Sequence, residues 1–153
     1  MPGKLWKKGR GKLGALTPLL GAWVAHADSR QGKVTCARTF ESVLNSKYIR
    51  LTALWTFGKT RYEEVCYFGA DGGGKLRFWS FTNDGKQSTG EIANVSDIHP
   101  EAIGFEAHMD AGLAREVYWP DPAGSFRWVV ESHNKKGWRR FVEHHYQRKE
   151  IGD

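Results

Sequence analysis

The chain has 153 residues, 40% of them hydrophobic and 13% aromatic, which is enough for one domain with its own core and no need of disulfide or metal cross-links. Its net charge is +6, but five of the 23 basic residues fall in the first twelve positions, where there is no acidic residue. The remainder holds 18 basic against 17 acidic residues, which argues against a basic nucleic-acid-binding surface on the folded domain.

The N-terminal region has two interpretations. In the first, residues 1–16 form a basic flexible tail, and residues 17–150 form the domain. In the second, the apolar run from Leu13 to Ala25 and the following Ala-His-Ala resemble a signal peptide with its cleavage site. Cleavage there would remove the first predicted strand, and Pro18 interrupts the run. We therefore predict a cytoplasmic protein, with a secreted or periplasmic one as the alternative.

From Gly21 onward, turns rich in Gly, Asn and Asp divide the chain into about ten short stretches of β-forming sequence. A helical turn is predicted just before them, over Leu16 to Leu20. The third stretch shows the alternation of a strand, with a period of two rather than 3.6. The predicted strands are 21–29, 33–43, 47–57, 60–68, 75–82, 86–94, 102–109, 112–119, 124–132 and 138–148. Such consecutive hairpins predict an all-β fold, a single antiparallel up-and-down β-barrel of about ten strands.

The motifs of common catalytic and metal sites are missing from the sequence. The Gly72-Gly73-Gly74 run lacks the lysine and the following helix of a phosphate-binding loop, and it predicts a hairpin turn. Cys36 and Cys66 have no CxxC spacing and no paired histidine nearby, so they do not indicate a zinc site. We expect both thiols to be reduced and partly buried, with a single disulfide as the alternative.

A Gly-x-Trp sequence opens the first strand, in Leu20-Gly21-Ala22-Trp23, and Arg148 ends the last one. With the ten hairpin-linked strands, residues 17–148 resemble the calycin group of lipocalins, fatty-acid-binding proteins and nitrobindins. They are most similar to uncharacterised bacterial lipocalin-like proteins. The resemblance implies that Trp23 lies at the closed end of the barrel and that Arg148 packs across it, as an indole face and a guanidinium attract each other. The implied role of this pair is structural.

The last strand supplies the candidate ligand-binding residues. If Arg148 points inward, a regular strand also points Trp138, Arg140, His144 and Tyr146 into the barrel. We therefore predict that the barrel binds a small hydrophobic or amphipathic molecule, which in one version is anionic, with these four residues at the site. A β-bulge in this strand would break the alternation, and it remains the alternative.

Two other functions stay open. An enzyme acting on a bound molecule would need a cluster of titratable groups in the cavity, although the sequence predicts no catalytic residue. A barrel filled by its own aromatic side chains would instead serve as a protein-interaction module. We predict no metal and no cofactor; a haem, by analogy with nitrobindins, would need an inward histidine such as His144 or His145. The expected partner is a small hydrophobic ligand. We predict no membrane span and, at most, weak contacts between the tail and nucleic acid. The oligomeric state stays open, and a dimer is one possibility.

Overall fold

The computed structural model describes residues 6–29 and 32–149 as one closed barrel. Each strand pairs antiparallel with its neighbours in sequence, and the first pairs with the last through Trp23 and Arg148. The predicted all-β, up-and-down barrel of ten strands is confirmed. The strands are β1 (Gly21–Ser29), β2 (Gly32–Val43), β3 (Tyr48–Phe57), β4 (Thr60–Ala70), β5 (Leu76–Thr82), β6 (Gln87–Ala93), β7 (Ile103–Met109), β8 (Gly112–Asp121), β9 (Ser125–Asn134) and β10 (Gly137–Arg148).

Among the described residues, two short 3₁₀ helices accompany the strands, one before β1 (Gly14–Leu19) and one between β8 and β9 (Pro122–Gly124). Neither is long and apolar enough to cross a membrane, and the same holds for every helix within the described ranges. The helix before β1 buries Leu16 and Leu19 completely against the barrel. It therefore caps the end at which β1 starts, and the hairpins of β3–β4 and β9–β10 lie at the opposite, open end.

Aromatic side chains fill the capped end. The Trp23 ring meets Phe126 edge to face at 4.6 Å between centroids, and its Nε1 donates a hydrogen bond of 2.8 Å to the Leu19 carbonyl oxygen. The Arg148 guanidinium lies 4.1 Å above the Trp23 ring and donates from Nη1 to the Leu20 carbonyl oxygen at 3.2 Å. The predicted packing of Arg148 across Trp23 is therefore confirmed.

A glycine is required at the start of β1. Gly21 has a φ of +123°, which L side chains rarely adopt, and a Cβ built there would overlap Arg148 Nη1. The Gly-x-Trp sequence thus meets two requirements. Gly21 leaves room for the Arg148 side chain, and Trp23 provides the ring face on which the guanidinium packs.

Part of the predicted tail contacts the barrel. Trp6 donates from Nε1 to the Glu101 carbonyl oxygen at 3.0 Å, and its ring lies 6.2 Å from that of Phe126. Lys7, Lys8, Arg10 and Lys12 remain exposed. Ordered contacts with the barrel therefore extend N-terminal to residue 17, whereas residues 1–5 of the predicted tail lie outside the described residues.

Candidate functional site

A β-bulge in β10 divides the four predicted site residues between the two faces of the sheet. Arg140 pairs with Glu131 of β9 and Val142 pairs with Val130, so Phe141 is an extra residue without a partner position on β9. The alternation therefore changes phase at Phe141. The predicted inward orientation of Trp138 and Arg140 is wrong for this reason, since it carried the alternation of the second half of β10 through the bulge.

Arg140 belongs to a charge network on the outer face. It donates from Nε to Glu131 Oε2 and from Nη1 to Glu143 Oε1, both at 3.0 Å. Glu131 also pairs with Arg115 at 2.7 Å, and the Arg115 guanidinium lies 4.2 Å from the Trp138 ring. Arg140 and Trp138 thus hold β8, β9 and β10 together from outside the barrel.

His144 and Tyr146 face the lumen, as the sequence predicted. His144 is 8% exposed, and its Nδ1 lies 3.3 Å from the Tyr146 hydroxyl. Its ring packs at 5.6 Å from Trp55 and 5.4 Å from Trp128. Burial, with the nearby charge of Arg38, lowers the pKa of His144 to about 4. The imidazole is therefore neutral near pH 7. In this state it can donate one hydrogen bond and accept another, but it has no charge that attracts an anion.

The open end of the barrel contains a cavity of about 740 Å³. Much of its lining is apolar and comes from Val34, Trp55, Phe57 and Val142, with His144 among the polar groups. The exposed residues Asp28, Ser29, Phe141 and Glu143 complete the lining. The lining comes from β1, β2, β3 and β10, and since Glu143 belongs to the charge network of the outer face, the cavity extends from the lumen to the surface between β1 and β10. Sequence reasoning placed His144 here but did not identify Val34 as a lining residue.

A polar cluster that the sequence analysis missed lies inside the barrel. It consists of Arg38 on β2, Glu64 on β4, Ser80 on β5, and Glu116 and Tyr118 on β8. Arg38 donates from Nη2 to the Tyr118 hydroxyl at 2.7 Å, and that hydroxyl donates to Glu116 Oε1 at 3.2 Å. Ser80 Oγ donates to Glu64 Oε2. These bonds offset part of the cost of removing charged groups from water.

Arg38 lies among aromatic rings and is only 1% exposed. Its guanidinium stands 4.4 Å from the centroid of the Trp128 ring, 5.6 Å from that of Tyr118 and 5.9 Å from that of Tyr146. Cation–π attraction to these faces stabilises the buried charge. Its Nε and Nη1 atoms are nevertheless buried without a hydrogen-bond partner among the described residues.

Glu64 and Glu116 line a second, smaller cavity of about 130 Å³ together with Phe78 and Phe105. Burial raises the pKa of Glu116 to about 7; Arg38 opposes this shift and Glu64 adds to it. Glu116 therefore holds a proton in a substantial fraction of molecules near neutral pH. Two half-buried carboxyl groups that line this cavity thus share one buried arginine.

The two cysteines also point into the lumen. Cys36 and Cys66 are unbonded, as the sequence predicted, and they are fully rather than partly buried. Burial raises the pKa of both thiols, so they stay protonated at neutral pH. Within residues 6–29 and 32–149, no group of three or more His, Cys, Asp or Glu side chains is arranged to hold a metal ion.

The two histidines considered for haem lie on opposite faces. His144 points into the lumen, whereas His145 points outward, with Nε2 at 2.8 Å from Ser125 Oγ and 3.3 Å from Asp121 Oδ2. The haem hypothesis therefore depends on His144 and stays a prediction.

No protein-family model matches the chain, and no curated protein is significantly similar to it. The ten-stranded barrel is established by its strand pairing. Membership of the calycin group stays a prediction, which rests on Gly21, Trp23, Arg148 and the order of the strands.

Proposed function

We propose that the barrel binds a small hydrophobic or amphipathic molecule in the cavity at its open end. The observation that carries this proposal is the cavity of about 740 Å³ lined by Val34, Trp55, Phe57 and Val142. Small-molecule sites in proteins have this range of volume, a largely apolar lining and a few polar groups that orient the ligand. The space also counts against the alternative of a barrel filled throughout by its own aromatic side chains.

The size of the cavity limits the expected affinity. Burial of a methylene group contributes about 0.8 kcal/mol, so a chain of ten carbons contributes roughly 8 kcal/mol before the costs of association. A free energy of that size corresponds to a dissociation constant of about 1 μM. Binding assays should therefore cover micromolar to millimolar concentrations.

A neutral fluorescent probe, N-phenyl-1-naphthylamine, tests the proposal without any contribution from charge. The wild-type chain should bind one equivalent with enhanced probe fluorescence. Val34→Trp places an indole in the cavity and should weaken binding at least about tenfold, because it removes space that the probe needs. Thr35→Trp is the matched control, since Thr35 is the next residue of β2 and its side chain is exposed on the outer face.

Circular dichroism should first show that both variants keep the wild-type strand content. Equal loss of binding in both variants, equal retention in both, or no binding by the wild type would contradict the proposal.

A second candidate function is acid–base catalysis on the bound molecule. The observation that favours it is the cluster of Arg38, Glu64, Glu116 and Tyr118 inside the barrel, because a carboxyl with a pKa of about 7 populates both protonation states near neutral pH. The test is to incubate any small molecule extracted from the purified protein with fresh wild type and with Glu116→Gln, and to follow its mass. Conversion by the wild type alone supports catalysis, and an unchanged mass with both proteins contradicts it.

A further inference from the structure

We infer that the lumen binds the anionic head group of an amphipathic molecule, a carboxylate or a comparable oxyanion, at the Arg38 guanidinium. This inference rests on the proposed function and adds to it the chemistry of the head group and the residue that holds it. It also moves the anionic anchor from Arg140 on the last strand to Arg38 on β2.

The unmet hydrogen-bonding capacity of Arg38 is the first argument. Its Nη2 donates to the Tyr118 hydroxyl, but Nε and Nη1 have no partner within the described part of the chain, and the side chain is 1% exposed. An unpaired buried donor is costly, and more so when it carries charge. An oxygen atom of a ligand would remove this cost, since it accepts from either nitrogen.

The partners of the neighbouring carboxyl groups are the second argument. Glu64 accepts from Ser80, and Glu116 accepts from Tyr118. Both carboxyl groups thus have a donor already, whereas the unpartnered atoms of the cluster belong to Arg38. A ligand amine would bring only further donors and would leave Arg38 Nε and Nη1 without a partner. An oxyanion brings the acceptors.

The position of Arg38 is the third argument. The face of Trp128 lies 4.4 Å from the guanidinium, and the same Trp128 ring packs at 5.4 Å from His144, which lines the larger cavity. Arg38 also acts electrostatically on both His144 and Glu116, which line the larger and the smaller cavity. Arg38 itself lines neither cavity, so the head group of a ligand whose tail lies beside Trp55 would reach the guanidinium past the rings of Trp128 and His144.

The protonation of Glu116 determines whether the cluster accepts a further negative charge. Below about pH 7 this carboxyl is protonated, which removes one negative charge from the surroundings of Arg38. Besides Arg38 and Glu64, the titratable groups around Glu116 are Cys66 and Tyr118, and burial raises the pKa of both, so they stay neutral. Affinity for an anion should accordingly fall as the pH rises through 7, while affinity for a neutral ligand should not.

The experiment compares decanoate with decanol as competitors of N-phenyl-1-naphthylamine on the full chain at pH 6. The two competitors share a ten-carbon chain and differ in the head group. The wild type should bind decanoate at least about tenfold more tightly, as expected for a hydrogen bond to a charged group. Arg38→Met should abolish this preference, so that decanoate and decanol compete with equal affinity. Arg140→Met, which removes an arginine from the outer face, is the matched control and should keep the preference.

The outcomes separate this inference from the proposed function. Equal affinity of the wild type for decanoate and decanol, or a preference that survives Arg38→Met, overturns the anchor while probe binding leaves the cavity proposal standing. Failure of the wild type to bind the probe or either competitor overturns both. If Arg38→Met does not fold, the wild-type comparison at pH 6 and pH 8 decides, and a decanoate preference that is absent or independent of pH overturns the inference.

Discussion

Replacing Glu116 by glutamine should change how the stability of the protein depends on pH. The fold raises the pKa of this carboxyl from 4.5 to about 7, mainly by burial. Between these values the folded chain keeps a proton that the unfolded chain releases, so the folded state binds more protons and stability falls as the pH rises. That interval spans roughly 2.5 pH units, and each unit corresponds to about 1.36 kcal/mol in the free energy of unfolding. The free energy of unfolding of the wild type should therefore fall by about 3 kcal/mol between pH 4.5 and pH 7.5 because of Glu116, and the glutamine variant should not show this loss.

The assay is guanidinium chloride unfolding at pH intervals from 4.5 to 8 for the wild type, Glu116→Gln and the control Glu63→Gln. Glu63 is the exposed residue next to Glu64 on β4. His144 acts in the opposite direction, because its lowered pKa makes stability rise with pH as the unfolded chain loses its proton near 6.5. The difference between Glu116→Gln and wild type cancels this contribution. Parallel curves for the wild type and Glu116→Gln would refute the burial of an ionisable Glu116 carboxyl.

Three further predictions concern the capped end and the thiols. Arg148→Ala should lower the free energy of unfolding by about 1–2 kcal/mol, since it removes a cation–π contact and a carbonyl partner; denaturant unfolding with no change would contradict it. Leu19→Ala, at a fully buried site, should cost about 2–5 kcal/mol in the same assay, against less than about 0.5 for Leu44→Ala at a 64% exposed site. Cys36 and Cys66 should react with Ellman's reagent far more slowly in the native than in the denatured chain, and equal rates would contradict their burial.

The strands were predictable because their signals are local. Alternation with a period of two and the turn residues between strands are both contained within about ten residues, and the predicted β1 agrees with the structure at both ends. The turn at Asn83-Asp84-Gly85 is an example, since Gly85 adopts a φ of +84° there. Closure of the sheet then follows, because consecutive hairpins leave the first and last strands as unpaired edges, and these two edges can pair with each other.

The site was predicted only in part, for two different reasons. The bulge at Phe141 has no glycine or other turn residue to mark it. The prediction therefore continued the alternation of β10 past the bulge to Arg140 and Trp138. The inward orientation of Arg38 could have been inferred from the sequence, because Arg38 shares a face with the apolar Cys36 and Phe40 of β2. Its partner was not, because Arg38 meets Tyr118 across the barrel over a separation of 80 residues. That contact depends on closure rather than on any local pattern.

The central claim is that the open-end cavity of the barrel holds a small amphipathic molecule. The most direct test is a crystal structure of the full chain grown with decanoate at pH 6. We expect electron density for the alkyl chain beside Trp55 and Phe57, with a carboxylate oxygen within hydrogen-bond distance of Arg38 Nε or Nη1. A lumen without decanoate, in crystals whose outer surface binds it, would contradict the account.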